Sequence, residues 1–141
     1  MKLWKKNYTL DEKIENFTVG NDYLLDNKLL EYDCRASIAH AKMLHKINIL
    51  SDSELNFLVQ ELENIISLHE KGEFEIKKSD EDCHTAIENH LTEKLGEAGQ
   101  KIHTARSRND QVLTALRLYY RDNLTEIKNL IQLFAGTLDQ K

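Results

Sequence analysis

Residues able to do chemistry concentrate in one run, Lys101-Ile102-His103-Thr104-Ala105-Arg106-Ser107-Arg108-Asn109-Asp110-Gln111. It follows Gly96 and Gly99 and precedes a long stretch with helical spacing. A helix N-terminus carries unpaired N–H groups and a partial positive charge, so it favours an anion. Arg106 and Arg108 add guanidinium forks whose shape matches a carboxylate. Thr104, Ser107, Asn109 and Gln111 add neutral groups able to orient a ligand. Together these residues suggest a site for a carboxylate-bearing molecule. They fit equally well a solvated basic turn closed by an Asn or Asp cap, and chemistry alone leaves both readings open.

A second cluster is Ser79-Asp80-Glu81-Asp82-Cys83-His84-Thr85. Asp80 and Glu81 suit the acidic first turn of a helix, where they complement the macrodipole. His84, one turn further, is placed to touch a ligand or to orient Asp82, although a lone histidine is more often structural. The sequence holds no phosphate loop, no dinucleotide fingerprint and no HExxH. His40 and His45 are five apart, a step that does not pair them on one helix face for a metal. No spacing supports a Ser-His-Asp triad. Cys34 and Cys83 form no CxxC pair and read as core fillers in a reduced, cytoplasmic setting.

The elements that must position these residues all read as helices. Thr9-Leu10-Asp11-Glu12 fits a capping box opening a short helix with Ile14 and Phe17 on its apolar side, ended by Gly20. Leu30, Cys34, Ser37, Ala41 and Leu44 trace one stripe, which predicts a helix from about Asp26 to Ile47. Ser51-Asp52-Ser53-Glu54 is a second capping box. It opens a helix with Leu55, Leu58, Val59, Leu62, Ile65 and Ile66 on one face, ending near Gly72. Glu73-Phe74-Glu75-Ile76 alternates but is too short for a sheet and reads as an extended connector. Ser79 or Asp80 then caps a helix carrying Ile87, Leu91 and Leu95, closed by Gly96 and Gly99. The last helix starts around Asn109-Asp110. Its stripe of Val112, Leu116, Tyr119, Ile127, Leu130, Phe134 and Leu138 runs almost to Lys141 with no stop signal, longer than so small a domain can cover.

Composition agrees with an all-α fold. The 141 residues include no proline, and the chain is 40% hydrophobic and 30% charged, as expected of a globular helical protein. A net charge of −5 gives no basic footprint for nucleic acid, and no apolar run approaches a membrane span.

The signature run resembles the first conserved region of argininosuccinate lyases, usually written H-T-G-R-S-R-N-D-Q. Three other stretches agree in order: Leu3-Trp4 with the family's opening, Ser37-Ile38-Ala39-His40-Ala41 and Leu44 with its second helix, and Asp80-Glu81-Asp82, His84 and Glu88 with its D-E-D-x-H segment. Three places depart from the pattern. Ala105 stands where the family has glycine, Lys5-Lys6-Asn7 where it has Gly-Gly-Arg, and Gly20, beside Asn21, where it has a substrate-contacting serine.

The resemblance implies an all-α N-terminal domain over residues 1–108, with 109–141 beginning a central helical bundle. It implies reversible cleavage of argininosuccinate to arginine and fumarate in arginine biosynthesis, by a cytoplasmic homotetramer needing no metal or organic cofactor. Asn109, Arg108 and Ser107, with Thr104 and His84 behind them, would bind substrate. The family's catalytic residues lie in later regions, so none is assigned here and the piece alone is expected to be inactive. Two other readings are a lens δ-crystallin-like structural protein on the same fold and a plain helical interaction module.

Overall fold

A computed structural model describes Phe17 and residues 20–139. The Thr9–Glu12 capping box and the Leu3-Trp4 opening lie outside the described residues. The helices are α1 (Asp22–Leu25), α2 (Leu30–Lys46), α3 (Asp52–Glu70), α4 (Cys83–Leu95), α5 (Glu97–Gln100) and α6 (Arg108–Asp139). Short 3-10 turns occupy Asp26–Lys28, Lys78–Asp80 and Lys101–His103. Among the described residues there is no strand, so the fold is all-α.

Helix α2 is the hub. It packs against α3, α4 and α6, and all five residues of its predicted stripe are buried. It begins later than expected, at Leu30. Asn27 turns its amide back onto the Tyr23 and Leu24 carbonyls at 3.1 and 3.2 Å. The Asp26 carboxylate accepts the Cys83 N–H at 3.0 Å. These side chains end α1 before α2 can start.

Helix α3 forms as its sequence dictates. Ser51 Oγ accepts the Glu54 N–H at 3.3 Å, and the Ser51 N–H donates to Glu54 Oε2 at 2.8 Å. Leu58, Leu62 and Ile65 point into the core. Gly72, with φ +73°, lets the chain turn out of the helix, and the Glu73 N–H closes onto the Leu68 carbonyl at 2.8 Å. Residues 73–77 carry no regular secondary structure, with Lys77 extended, and Ile76 dips into the core.

Helix α4 corrects two expectations. Its cap is Asp82, which accepts the Thr85 N–H at 2.7 Å, rather than Ser79 or Asp80. Asp80 and Glu81 therefore precede the helix instead of forming its first turn. Asp80 is drawn away because it accepts the Lys77 N–H at 3.1 Å and the Asn89 amide at 3.2 Å.

Candidate substrate-binding site

The signature run sits on a turn held from three helices. At its start, Lys101 pairs with Glu54 of the α3 cap. That ammonium, with the Ser51 N–H and hydroxyl, holds the Glu54 carboxyl down at about 2. His103 Nδ1 lies 3.0 Å from Glu88 of α4. His40 Nε2, from α2, lies 3.0 Å from the Thr104 carbonyl. A carbonyl can only accept, so that nitrogen carries the proton. Burial pulls His40 below its usual value despite this contact, which favours the neutral ring.

Between these holds stands Ala105 at φ +55°, in the left-handed region. The glycine usual at this place would adopt it freely.

Arg106, by its sequence a candidate ligand fork, turns inward. Its side chain is 6% exposed. Nη1 donates to Ser37 Oγ at 2.9 Å, and Nη2 to Asp33 Oδ1 at 3.4 Å. Burial lowers the Arg106 pKa, opposed by the Asp33 and Glu88 carboxylates.

His84 sits on the far side of the same carboxylate, its Nδ1 3.0 Å from Asp33 Oδ2. The approach is off the hydrogen-bonding line, and among the described residues neither atom has another hydrogen-bond partner. Burial disfavours the charged ring, but Asp33 and Asp82 outweigh it and the net shift is upward. His84 is 2% exposed. The ring is enclosed and pairs with Asp33, and the Asp82 charge also acts on it.

Beyond Arg106 the last helix begins, and its cap also corrects the sequence reading. Ser107, not Asn109 or Asp110, is the capping residue. Its Oγ accepts the Asp110 N–H at 3.2 Å and donates to Asp110 Oδ2 at 2.7 Å. The Ser107 N–H donates to the same carboxylate at 2.9 Å. These bonds hold the exposed Asp110 carboxyl below its usual value. A serine cap with an acid three residues on satisfies two free N–H groups at once.

Asn109 is left exposed, and its side chain makes no hydrogen bond among the described residues. Thr104 is exposed as well. Arg108 lies along α4. Nη2 donates to Thr85 Oγ1 at 3.1 Å and Nη1 to Gln111 Oε1 at 3.0 Å, while Nε is 3.6 Å from Asp82 Oδ2. Gln111, buried, donates to Glu88 at 2.9 Å. Thus Thr104, Ser107, Arg108 and Asn109 share one turn and its helix mouth, and His84 stands behind it.

Sequence reasoning missed Asp33 and gave Glu88 no role. A signal for Asp33 existed. It lies three residues after Leu30 and four before Ser37, so it falls on the predicted buried stripe, where a charge needs a partner.

Asp26, Cys83 and His84 bring three donor atoms within 4.8 Å of one another. Burial and the nearby carboxylates push the Cys83 thiol far up, the Asp26 carboxylate already takes the Cys83 N–H, and His84 Nδ1 faces Asp33. These donors are committed within the protein and fit an ion poorly.

A family model described as lyase matches residues 6–141. The argininosuccinate lyase of Thermotoga neapolitana is 55% identical over 98% of this chain, which spans 35% of that relative. Those of Parabacteroides distasonis and Sorangium cellulosum are 45% and 47% identical over 98% and 90% of this chain, and 30% of each relative is covered. The chain spans about a third of the length of the curated relatives it matches. Matched by that family model along almost its whole length, the chain belongs to the lyase family, and the relatives it resembles there are argininosuccinate lyases.

Proposed function

We propose that this chain supplies the first substrate-binding region of an argininosuccinate lyase, an enzyme cleaving argininosuccinate reversibly to arginine and fumarate. One observation carries the reading: the signature turn is anchored from three helices while Asn109, at its tip, is exposed and unengaged. A donor carried on an anchored turn beside an open helix mouth is what a developing negative charge requires. In the implied reaction a base removes a proton beside a carboxylate, and the carbanion is stabilised as an aci-carboxylate. An acid then assists departure of the guanidinium nitrogen.

In this assignment Asn109 donates to a succinyl carboxylate of the substrate, and Arg108, held beside it by Thr85 and Asp82, adds charge. Ser107 exchanges Asp110 for the ligand, and Thr104 closes the edge. Proton transfer falls to regions beyond this piece, so the piece alone is inactive. The working enzyme is a cytoplasmic homotetramer of arginine biosynthesis, with residues 109–141 opening its central bundle after the 1–108 domain. The decisive experiment is fumarate release from argininosuccinate by the longer polypeptide carrying this segment. Turnover supports the assignment, and absence of turnover by a folded polypeptide rejects it. Fumarate release by the 141-residue piece itself would reject its inactivity.

A further inference from the structure

We propose that Asp33 is a positioning residue for the signature turn, joining Arg106 to His84 inside the fold so that Arg108 and Asn109 meet the substrate in a fixed pose. The inference rests on the lyase reading above.

The Asp33 side chain is 1% exposed, and its two oxygens divide their work. Oδ1 takes the guanidinium from the turn at 3.4 Å, and Oδ2 faces the α4 imidazole at 3.0 Å. Ser37, one helical turn along α2, gives Arg106 a second point of attachment at 2.9 Å. Two points fix the guanidinium plane where one would leave it free to pivot.

Stability alone is a weak account of the arrangement. Buried charged groups lose their hydration, and well-packed apolar residues in their place are often as stable or more so. What apolar packing lacks is direction. Here the carboxylate ties together the two segments that carry the site: the turn that ends in Asn109, and the α4 start that holds Arg108 through Thr85 and Asp82. Arg106 precedes the Ser107 cap by one residue, so any shift of its guanidinium is passed straight into the cap. A displacement of about 1 Å at a binding group can cost on the order of a hundredfold in rate.

The test uses the longer lyase polypeptide with Asp33→Asn and, separately, Ser37→Ala. Argininosuccinate turnover is measured well below the thermal midpoint of each variant, with circular dichroism confirming helix content. Asp33→Asn is expected to lower kcat/KM on the order of a hundredfold and Ser37→Ala roughly tenfold, each with a lowered midpoint because a buried guanidinium loses a partner. A purely structural role predicts the same lowered midpoints but kcat/KM within about twofold of the parent. That result in both folded variants would overturn the proposal. If Asp33→Asn does not fold, Ser37→Ala decides alone, since it keeps the charges intact. An inactive parent would reject the lyase reading and this inference with it, whereas an active parent with indifferent variants rejects only the role of Asp33.

Discussion

Ala105 holds φ +55° while carrying a side chain, a conformation that costs about 1–2 kcal/mol in an L-residue other than glycine. The flanking bonds of Thr104 to His40 and of Arg106 to Asp33 and Ser37 keep it there. Ala105→Gly removes the strain but adds about 0.4–1 kcal/mol of unfolded-state freedom. The strain is the larger quantity, so the substitution should stabilise by up to about 1 kcal/mol, raising the thermal midpoint; a lowered midpoint would show that the alanine is not strained. Asn109 gives a sharper test. With Ser107 and Asp110 forming the cap, Asn109 is not needed for helix stability. Asn109→Asp in the longer enzyme should therefore leave the midpoint almost unmoved. It would also set a carboxylate against the substrate's own and abolish a donor, cutting turnover by orders of magnitude. Near-normal turnover would remove Asn109 from the site.

Among the elements, α4 and α5 meet where a side chain is not tolerated. A Cβ added to Gly99 would lie 2.2 Å from the Leu91 carbonyl oxygen, which belongs to backbone and cannot rotate aside. Gly99→Ala should cost about 1–3 kcal/mol, as overpacked cores do, and an unchanged midpoint would contradict the close approach. The α2–α4 contact has a pH signature. The folded-state pKa of His84 is raised above its usual 6.5, so the stabilisation is fully present below that value and lost as pH rises through the folded pKa. The midpoint should decline on the alkaline side of 6.5, and His84→Gln should flatten that decline; equal slopes in both proteins would exclude the His84–Asp33 contact as its source. The helices themselves were legible in the sequence, because apolar spacing and the Ser51–Glu54 box report local physics. Cap identity was less so: Asp82 and Ser107 compete with neighbours equally able to cap, and tertiary partners such as Asn89 decide. The site was legible as a segment. Which arginine faces outward was not, because that depends on Asp33, distant in sequence and counted only as part of a stripe.

At the scale of the whole molecule, coverage is uneven. The first part of α6 lies on α2, where Tyr119 meets Tyr32 edge-on at 5.6 Å and Asp122 pairs with Arg35 at 3.1 Å. From Leu124 to Asp139 every residue is exposed. At about 1.5 Å per residue this uncovered half extends more than about 20 Å. Its Ile127, Leu130, Ile131, Phe134 and Leu138 follow three- and four-residue steps, so they form one apolar stripe rather than scattered contacts. An apolar face of that size in water drives association. The 141-residue polypeptide should therefore self-associate through α6, with sedimentation giving a mass that rises with concentration. Leu130→Glu combined with Phe134→Glu places two carboxylates in the middle of the stripe without touching α2, α4 or the signature turn. That variant should remain helical and sediment as a monomer. A parent that stays monomeric throughout would overturn the prediction, and a charged variant that still associates would move the contact away from α6.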